Sequence, residues 1–155
     1  MTYVYAILIW RFTVDEFSKD DVLGQAKANG QALFLVTIGY IKEKGLPIDE
    51  FWRFVGEKFT LGWDSLQGKG ARVAMRMFAL NMVSVGGTLE SLSGNEARAE
   101  AIISGWPSAD LANAFGVSRD DADRGYAIFQ PIAAVLGLRY EWRREGDRVT
   151  LILSR

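Results

Sequence analysis

The chain has 155 residues, 49% hydrophobic and 24% charged, which is enough to bury one core without disulfide or metal staples. It contains no cysteine and no histidine, so disulfides, thiolate catalysis, iron–sulfur clusters and Cys-ligated zinc are excluded. The commonest general base and transition-metal ligand is missing too. A net charge of −1 provides no global field toward nucleic acid or anionic lipid.

The opening segment, Met1 to Trp10, is apolar but has no basic n-region and no A-x-A cleavage site, and Arg11 follows at once. It is too short to span a bilayer, and is expected to be buried or to form a dimer. Ser18 should cap a first helix whose first turn holds Asp20 and Asp21 and whose end is Gly45. Its buried stripe is expected at Ala26, Gly30, Leu33, Thr37 and Ile41, with Phe34 and Ile38 beside it. Gly24, Gly30 and Gly39 inside it suggest close packing against a neighbour. A second helix starts at Pro47 and should bury Trp52, Val55, Phe59, Trp63 and Leu66. Ala71 to Val85 has strand-like alternation in part, but its length and Ala/Met/Leu content favour a helix, with a face of Ala74, Phe78, Met82, Val73, Met77 and Leu80.

Thr88 to Ser93 and Ala97 to Ser104 read as a hairpin around Gly94-Asn95, closed by Trp106-Pro107. Ser108 should cap a short helix ending at Gly116. Ser118 should cap a longer one, with Asp121 placed almost as in a capping box. That longer helix is expected to bury Ala122, Tyr126, Phe129, Ala133 and Leu136, to kink at Pro131 and to stop at Gly137. A second hairpin follows. Leu138, Tyr140 and Trp142 alternate with Arg139, Glu141 and Arg143, Glu145-Gly146-Asp147 turns the chain, and Val149, Leu151 and Leu153 return. Strands grouped in pairs among helices predict an α+β fold, an antiparallel sheet covered by helices on one face, in a single domain over 1–155.

The sequence contains five Trp, five Tyr and nine Phe. Such stripes usually pack a core, but Trp52, Phe59 and Trp63 on one helical face and Tyr126 and Phe129 on another could also line a pocket. Arg72 and Arg76, one helical turn apart, could grip a carboxylate or phosphate, or simply face solvent. Glu57 and Asp64 have the spacing of an acid/base pair on one helix, a spacing common in surfaces without function. Residues 109–126 have the outline of a helix-turn-helix, but Asp120, Asp121 and Asp123 at the start of the second helix would repel phosphate. The charges of the last hairpin, Arg139, Arg143, Arg144, Arg148 and Arg155 against Glu141, Glu145 and Asp147, are expected to pair across strands.

The order of hairpin, Trp-Pro corner, short helix, longer helix and closing hairpin resembles the V4R-type ligand-binding domains and the related L-2-amino-thiazoline-4-carboxylic acid hydrolase-like proteins. The resemblance covers about residues 50 to 155. It is carried by Gly56 to Phe59, Trp63-Asp64, Trp106-Pro107, Phe115-Gly116, Phe129, Gly137-Leu138, and Gly146-Asp147 followed by Val149 to Leu153. Those relatives often carry Cys at the corner, in the longer helix and in the last strand. Trp106 stands at the corner here and there is no cysteine elsewhere, so no thiol or metal role carries over. The resemblance implies a dimerising fold with an apolar pocket between helices and sheet. The expected function is therefore binding of a small apolar or amphipathic ligand by Trp52, Phe59, Trp63, Arg76, Trp106, Tyr126 and Phe129. No cofactor, metal, membrane span or nucleic-acid partner is expected; the chain should form a homodimer and reside in the cytoplasm. The alternatives are a Cys/His-free hydrolase related to the thiazoline-carboxylate group and a helix-turn-helix regulator.

Overall fold

A computed structural model describes residues 17–155; the apolar segment Met1 to Trp10, expected to be buried or to form a dimer, lies outside the described residues. Ser18 caps helix α1, Lys19–Glu43, and its side chain and that of Asp21 form a reciprocal capping box. Gly45 takes a positive φ of 65° just past the helix end. Helix α2, Ile48–Phe59, follows Pro47 and is succeeded by two 3₁₀ turns, Thr60–Gly62 and Asp64–Leu66. Helix α3, Ala71–Ser84, then leads into strands β1, Thr88–Gly94, and β2, Arg98–Ser104. After the Trp106-Pro107 corner come α4, Ala109–Ala114, and α5, Arg119–Asp123, followed by a 3₁₀ stretch Arg124–Ile128 and α6, Phe129–Val135. Strands β3, Arg139–Glu145, and β4, Arg148–Ser154, complete the described chain.

The four strands form one antiparallel sheet in the order β1-β2-β4-β3, so the expected α+β fold is present, and the two hairpins join through β2 and β4. The inner face offers Ala99, Ala101 and Ile103 from β2 and Val149, Leu151 and Leu153 from β4, all buried. Helix α3 lies on this face with Ala71, Ala74, Met75, Phe78, Ala79 and Met82 buried. Small side chains on both partners let its backbone come close to the strands. A second apolar cluster joins α1, α2, α4 and α5 through Leu35, Ile38, Ile41, Ile48, Trp52, Ala112, Val117 and Ala122. Phe34 and Ile128 pack against both clusters. Among the described residues, no helix is long and apolar enough to cross a membrane.

Several expectations need correction. The buried stripe of α1 is Gln31, Leu35, Ile38 and Ile41, and Leu33 is 70% exposed. Only Gly30 among the α1 glycines meets a neighbour, Val85, at an ordinary 3.6 Å; Gly24 and Gly39 face open space, so close packing does not explain them. Helix α2 ends at Phe59, which is exposed; Trp63 and Leu66 lie beyond the helix and pack partly buried against the core, and Glu57 and Asp64 share no helical face. On α3, Val73 and Leu80 are exposed. Instead of a helix kinked at Pro131, residues 119–135 form two short helices with a 3₁₀ stretch between. A proline ring clashes with the carbonyl four residues earlier, here Ala127, and has no N–H to give it, so the α pattern breaks upstream of the proline. Two pairs of hairpin charges run along their own strand, Arg139 with Glu141 at 3.3 Å and Arg143 with Glu145 at 3.8 Å, and the others reach outside the hairpin. Arg148 reaches Glu90 of β1 at 2.8 Å, and Arg144 turns inward.

Candidate functional site

Apolar residues on helices that meet at different angles leave gaps unless their shapes match. One such gap lies within the helical layer, where the two apolar clusters meet. It is a cavity of about 170 Å³, walled by Phe34 of α1, Trp52 and Phe59 of α2, Trp63, Met82 of α3, Trp106 of the corner, and Tyr126, Phe129 and Ile132 from the 3₁₀ stretch and α6. No strand contributes to its lining, so the pocket expected between helices and sheet sits between helices instead. Gly30, Asn81, Val85, Gly125 and Ile128 complete the wall; it contains no Asp, Glu, Lys or Arg. Phe59 is 57% exposed and Asn81 is exposed, so both stand at the cavity's open edge.

The aromatic rings are held by one another. Phe34 lies between two indoles, with ring centroids 4.8 Å from Trp52 and 4.6 Å from Trp106. Phe78 stacks on Phe129 at 4.4 Å and meets Trp63 edge-on at 5.2 Å. Such pairs add about 0.5–1.5 kcal/mol each beyond the area they bury. Gly125 makes room for Phe34, because a Cβ there would collide with the far edge of the ring. Gly56 similarly lets α2 approach the carbonyl of Ile128.

Polar groups behind this wall fix the corner. The Trp106 carbonyl accepts from the Tyr126 hydroxyl at 3.2 Å and from Arg144 Nη2 at 3.3 Å. Arg144 grips Asp123 with two bonds, Nε to Oδ2 at 2.7 Å and Nη2 to Oδ1 at 2.6 Å, and the pair is largely shielded, Asp123 buried and Arg144 half-buried. Burial pulls the Arg144 pKa down, but Asp123, with help from Asp147, brings it above its ordinary value, so the guanidinium stays charged. Burial pushes the Tyr126 hydroxyl well above its ordinary range, so it remains a neutral donor. Asp147 accepts from the Gly105 backbone at 3.0 Å and anchors the corner from the other hairpin. By contrast, the indole Nε1 atoms of Trp52 and Trp106 are buried and meet no acceptor among the described residues.

Six of the seven expected site residues, Trp52, Phe59, Trp63, Trp106, Tyr126 and Phe129, therefore surround one cavity. Arg76 does not; it borders a separate groove between α3 and β1 with Met77, Leu80, Leu89 and Leu92. Its neighbour Arg72 donates to the Gly94 carbonyl at 2.8 Å and ties α3 to the hairpin turn, so the two arginines do not form a common grip. Phe34, Met82 and Ile132 are wall residues not anticipated as such. Among the described residues, no group of His, Cys, Asp or Glu is placed to hold a metal ion. Comparison of the chain with protein-family models and with curated proteins gives no match.

Proposed function

We propose that the chain binds a small, mostly apolar molecule in the helical-layer cavity, as the V4R-type resemblance implies. The observation that carries this reading is an aromatic cavity of about 170 Å³ without a charged wall residue. Dry apolar cavities of about 150 Å³ take up benzene-sized molecules, because desolvation and dispersion both favour a guest over a void. Trp52, Trp63 and Trp106 line the cavity, so titration with benzene or toluene should change tryptophan fluorescence saturably. Absence of any saturable change across small aromatic and alicyclic probes would remove the proposal. Native mass spectrometry of the purified protein independently asks whether a molecule co-purifies.

The hydrolase alternative has less support. Acid–base chemistry needs a titratable group within hydrogen-bond reach of substrate, whereas Asp123 and Arg144 are engaged with each other and the corner carbonyl. A helix-turn-helix regulator has less still: its second helix, α5, has five residues, and Arg119 and Arg124 are paired with Asp147 and Asp49. For the homodimer, support comes from the outer stripe of α1, where Leu33, Val36 and Tyr40 are exposed in helical register. A two-fold axis beside α1 would set this stripe against itself. Sedimentation showing only a 17 kDa species at high concentration would dismiss it.

A further inference from the structure

We propose that the groove between α3 and β1 is a second ligand site, separate from the cavity, and that it takes an anionic amphiphile, an aliphatic body with one negative head group. The groove has a volume of about 660 Å³, and Met77, Leu80 and Val83 of α3 and Leu89 and Leu92 of β1 give it an apolar wall. Two cations border it, Arg76 of α3 and Lys27 of α1, and no Asp or Glu does. Among the described residues, neither cation belongs to an ion pair, whereas eight other basic side chains do. Lys27 is half-buried while its chain neighbours Ala26 and Ala28 are exposed, as when a lysine stem covers apolar surface and its ammonium stays in water. In a chain of net charge −1, an apolar groove with two unpaired cations and no acid is complementary to an anion with an apolar body.

A β-bulge builds this groove. Leu89 and Leu92 are three residues apart, so a regular strand would set them on opposite faces. The register of β1 on β2 slips between Leu89 and Ser91, so Leu89 pairs with Ile103 and Leu92 with Ala101, and both leucines line the groove under α3. The extra residue is Glu90, the one acid of β1, and its carboxylate is held by Arg148 at 2.8 Å rather than by Arg76. Strand β1 is also an outer strand of the sheet, and a bulge in an edge strand discourages another strand from pairing there. A small amphiphile therefore suits the groove better than an added peptide strand. Arg76 and Val83 are seven helical residues apart, about 10 Å along α3, a length that a medium-chain aliphatic body spans. Leu80 and Leu89, 56% and 41% exposed, are the apolar surface it would cover.

Octanoate and octanol share an aliphatic body and differ in the charge of the head group, so they separate anion recognition from burial of the tail. Each should be titrated at low salt into the isotopically labelled chain and followed by nuclear magnetic resonance. The amides of Val83, Leu89 and Leu92 report the groove, and the indoles of Trp52, Trp63 and Trp106 report the cavity. Octanoate is expected to shift the groove amides saturably and to bind there about fivefold more tightly than octanol, the upper worth of one solvent-screened ion pair. That preference should shrink as salt is added. The double change Lys27→Gln with Arg76→Gln should abolish the preference and leave octanol binding as it was, in a variant checked for cooperative melting; the wild-type comparison and its salt dependence need no variant. Octanoate shifts absent from the groove amides, equal affinity of the two probes there, or a preference that survives the double change would each overturn the proposal. So would a change of sedimenting mass on the double change, which would make the groove a contact between copies. None of these results bears on the cavity reading, which the benzene titration tests separately.

Discussion

Asp123 and Arg144 form the most sequestered ion pair of the described residues, and they hold the Trp106 carbonyl that positions one cavity wall. Breaking a pair shielded from most solvent leaves a charge without its partner. Asp123→Asn is therefore expected to cost about 3 kcal/mol, read as a lower urea midpoint, and the paired change Asp123→Leu with Arg144→Met should recover most of it. Gly125 and Gly56 give a contrast in the same region. A Cβ at Gly125 meets the tip of the Phe34 ring, which can swing toward the empty cavity, whereas a Cβ at Gly56 meets the backbone carbonyl of Ile128. Gly125→Ala should thus lose less than about 1 kcal/mol of stability yet weaken benzene binding at least about tenfold. Gly56→Ala should cost about 2 kcal/mol, as overpacking against an unyielding backbone does. At this scale much of the site was legible: Tyr126, Phe129, Trp52 and Trp63 are large rings at helical spacing, and burial energy draws such rings inward. Arg144 was not legible as a partner: the alternation puts it on the face of Tyr140 and Trp142, but no local pattern names Asp123, 21 residues earlier, as the group it meets.

Helix α1 shows where periodicity is silent. It has large apolar residues on two sides, Leu35, Ile38 and Ile41 inward and Leu33, Val36 and Tyr40 outward, so two registers fit the helical period equally well. Gln31 tips the balance in three dimensions, since its side-chain oxygen accepts from the Ser108 backbone at 2.9 Å and binds the inner face of α1 to the α4 cap. That long-range bond has no sequence signature. The other end of α1 is held by Lys42, which bonds Asp121 of α5. The Lys42 ammonium and then the Ser118 hydroxyl hold the Asp121 carboxyl below its usual 3.8. A carboxylate with a lowered folded-state pKa stabilises fully above the unfolded value and loses that contribution as the pH falls through the folded one. The difference in urea midpoint between wild type and Lys42→Gln should therefore be level near neutrality, worth less than about 1 kcal/mol for so solvent-screened a pair, and be lost as acid protonates the carboxyl below its usual 3.8. A difference that persists in acid would show that Lys42 acts through packing of its stem.

At the scale of the whole fold, the described residues form two apolar clusters meeting at a seam, with Phe34 and Ile128 common to both. The cavity occupies that seam, so a guest adds contacts to each cluster at once. A probe that binds only the folded state adds about 2.7 kcal/mol at a hundredfold excess over its dissociation constant, which for a chain of this size raises Tm by about 5–10 °C. Toluene, followed by differential scanning calorimetry, should produce one shifted transition; two separating transitions would mean that the clusters melt independently. The α+β class was readable from paired hairpin signals among helical periods, because turn chemistry is local. The seam was not, since where two clusters fail to interlock depends on helix angles that no local pattern encodes. The strand order β1-β2-β4-β3 carries a further consequence for how the chain is made. Translation delivers the two outer strands and one inner strand before the remaining inner one, β4, that bridges them. A chain released after Glu145 but short of Arg148 thus lacks the shared partner of β2 and β3, and should be captured by a chaperone more readily than the full chain.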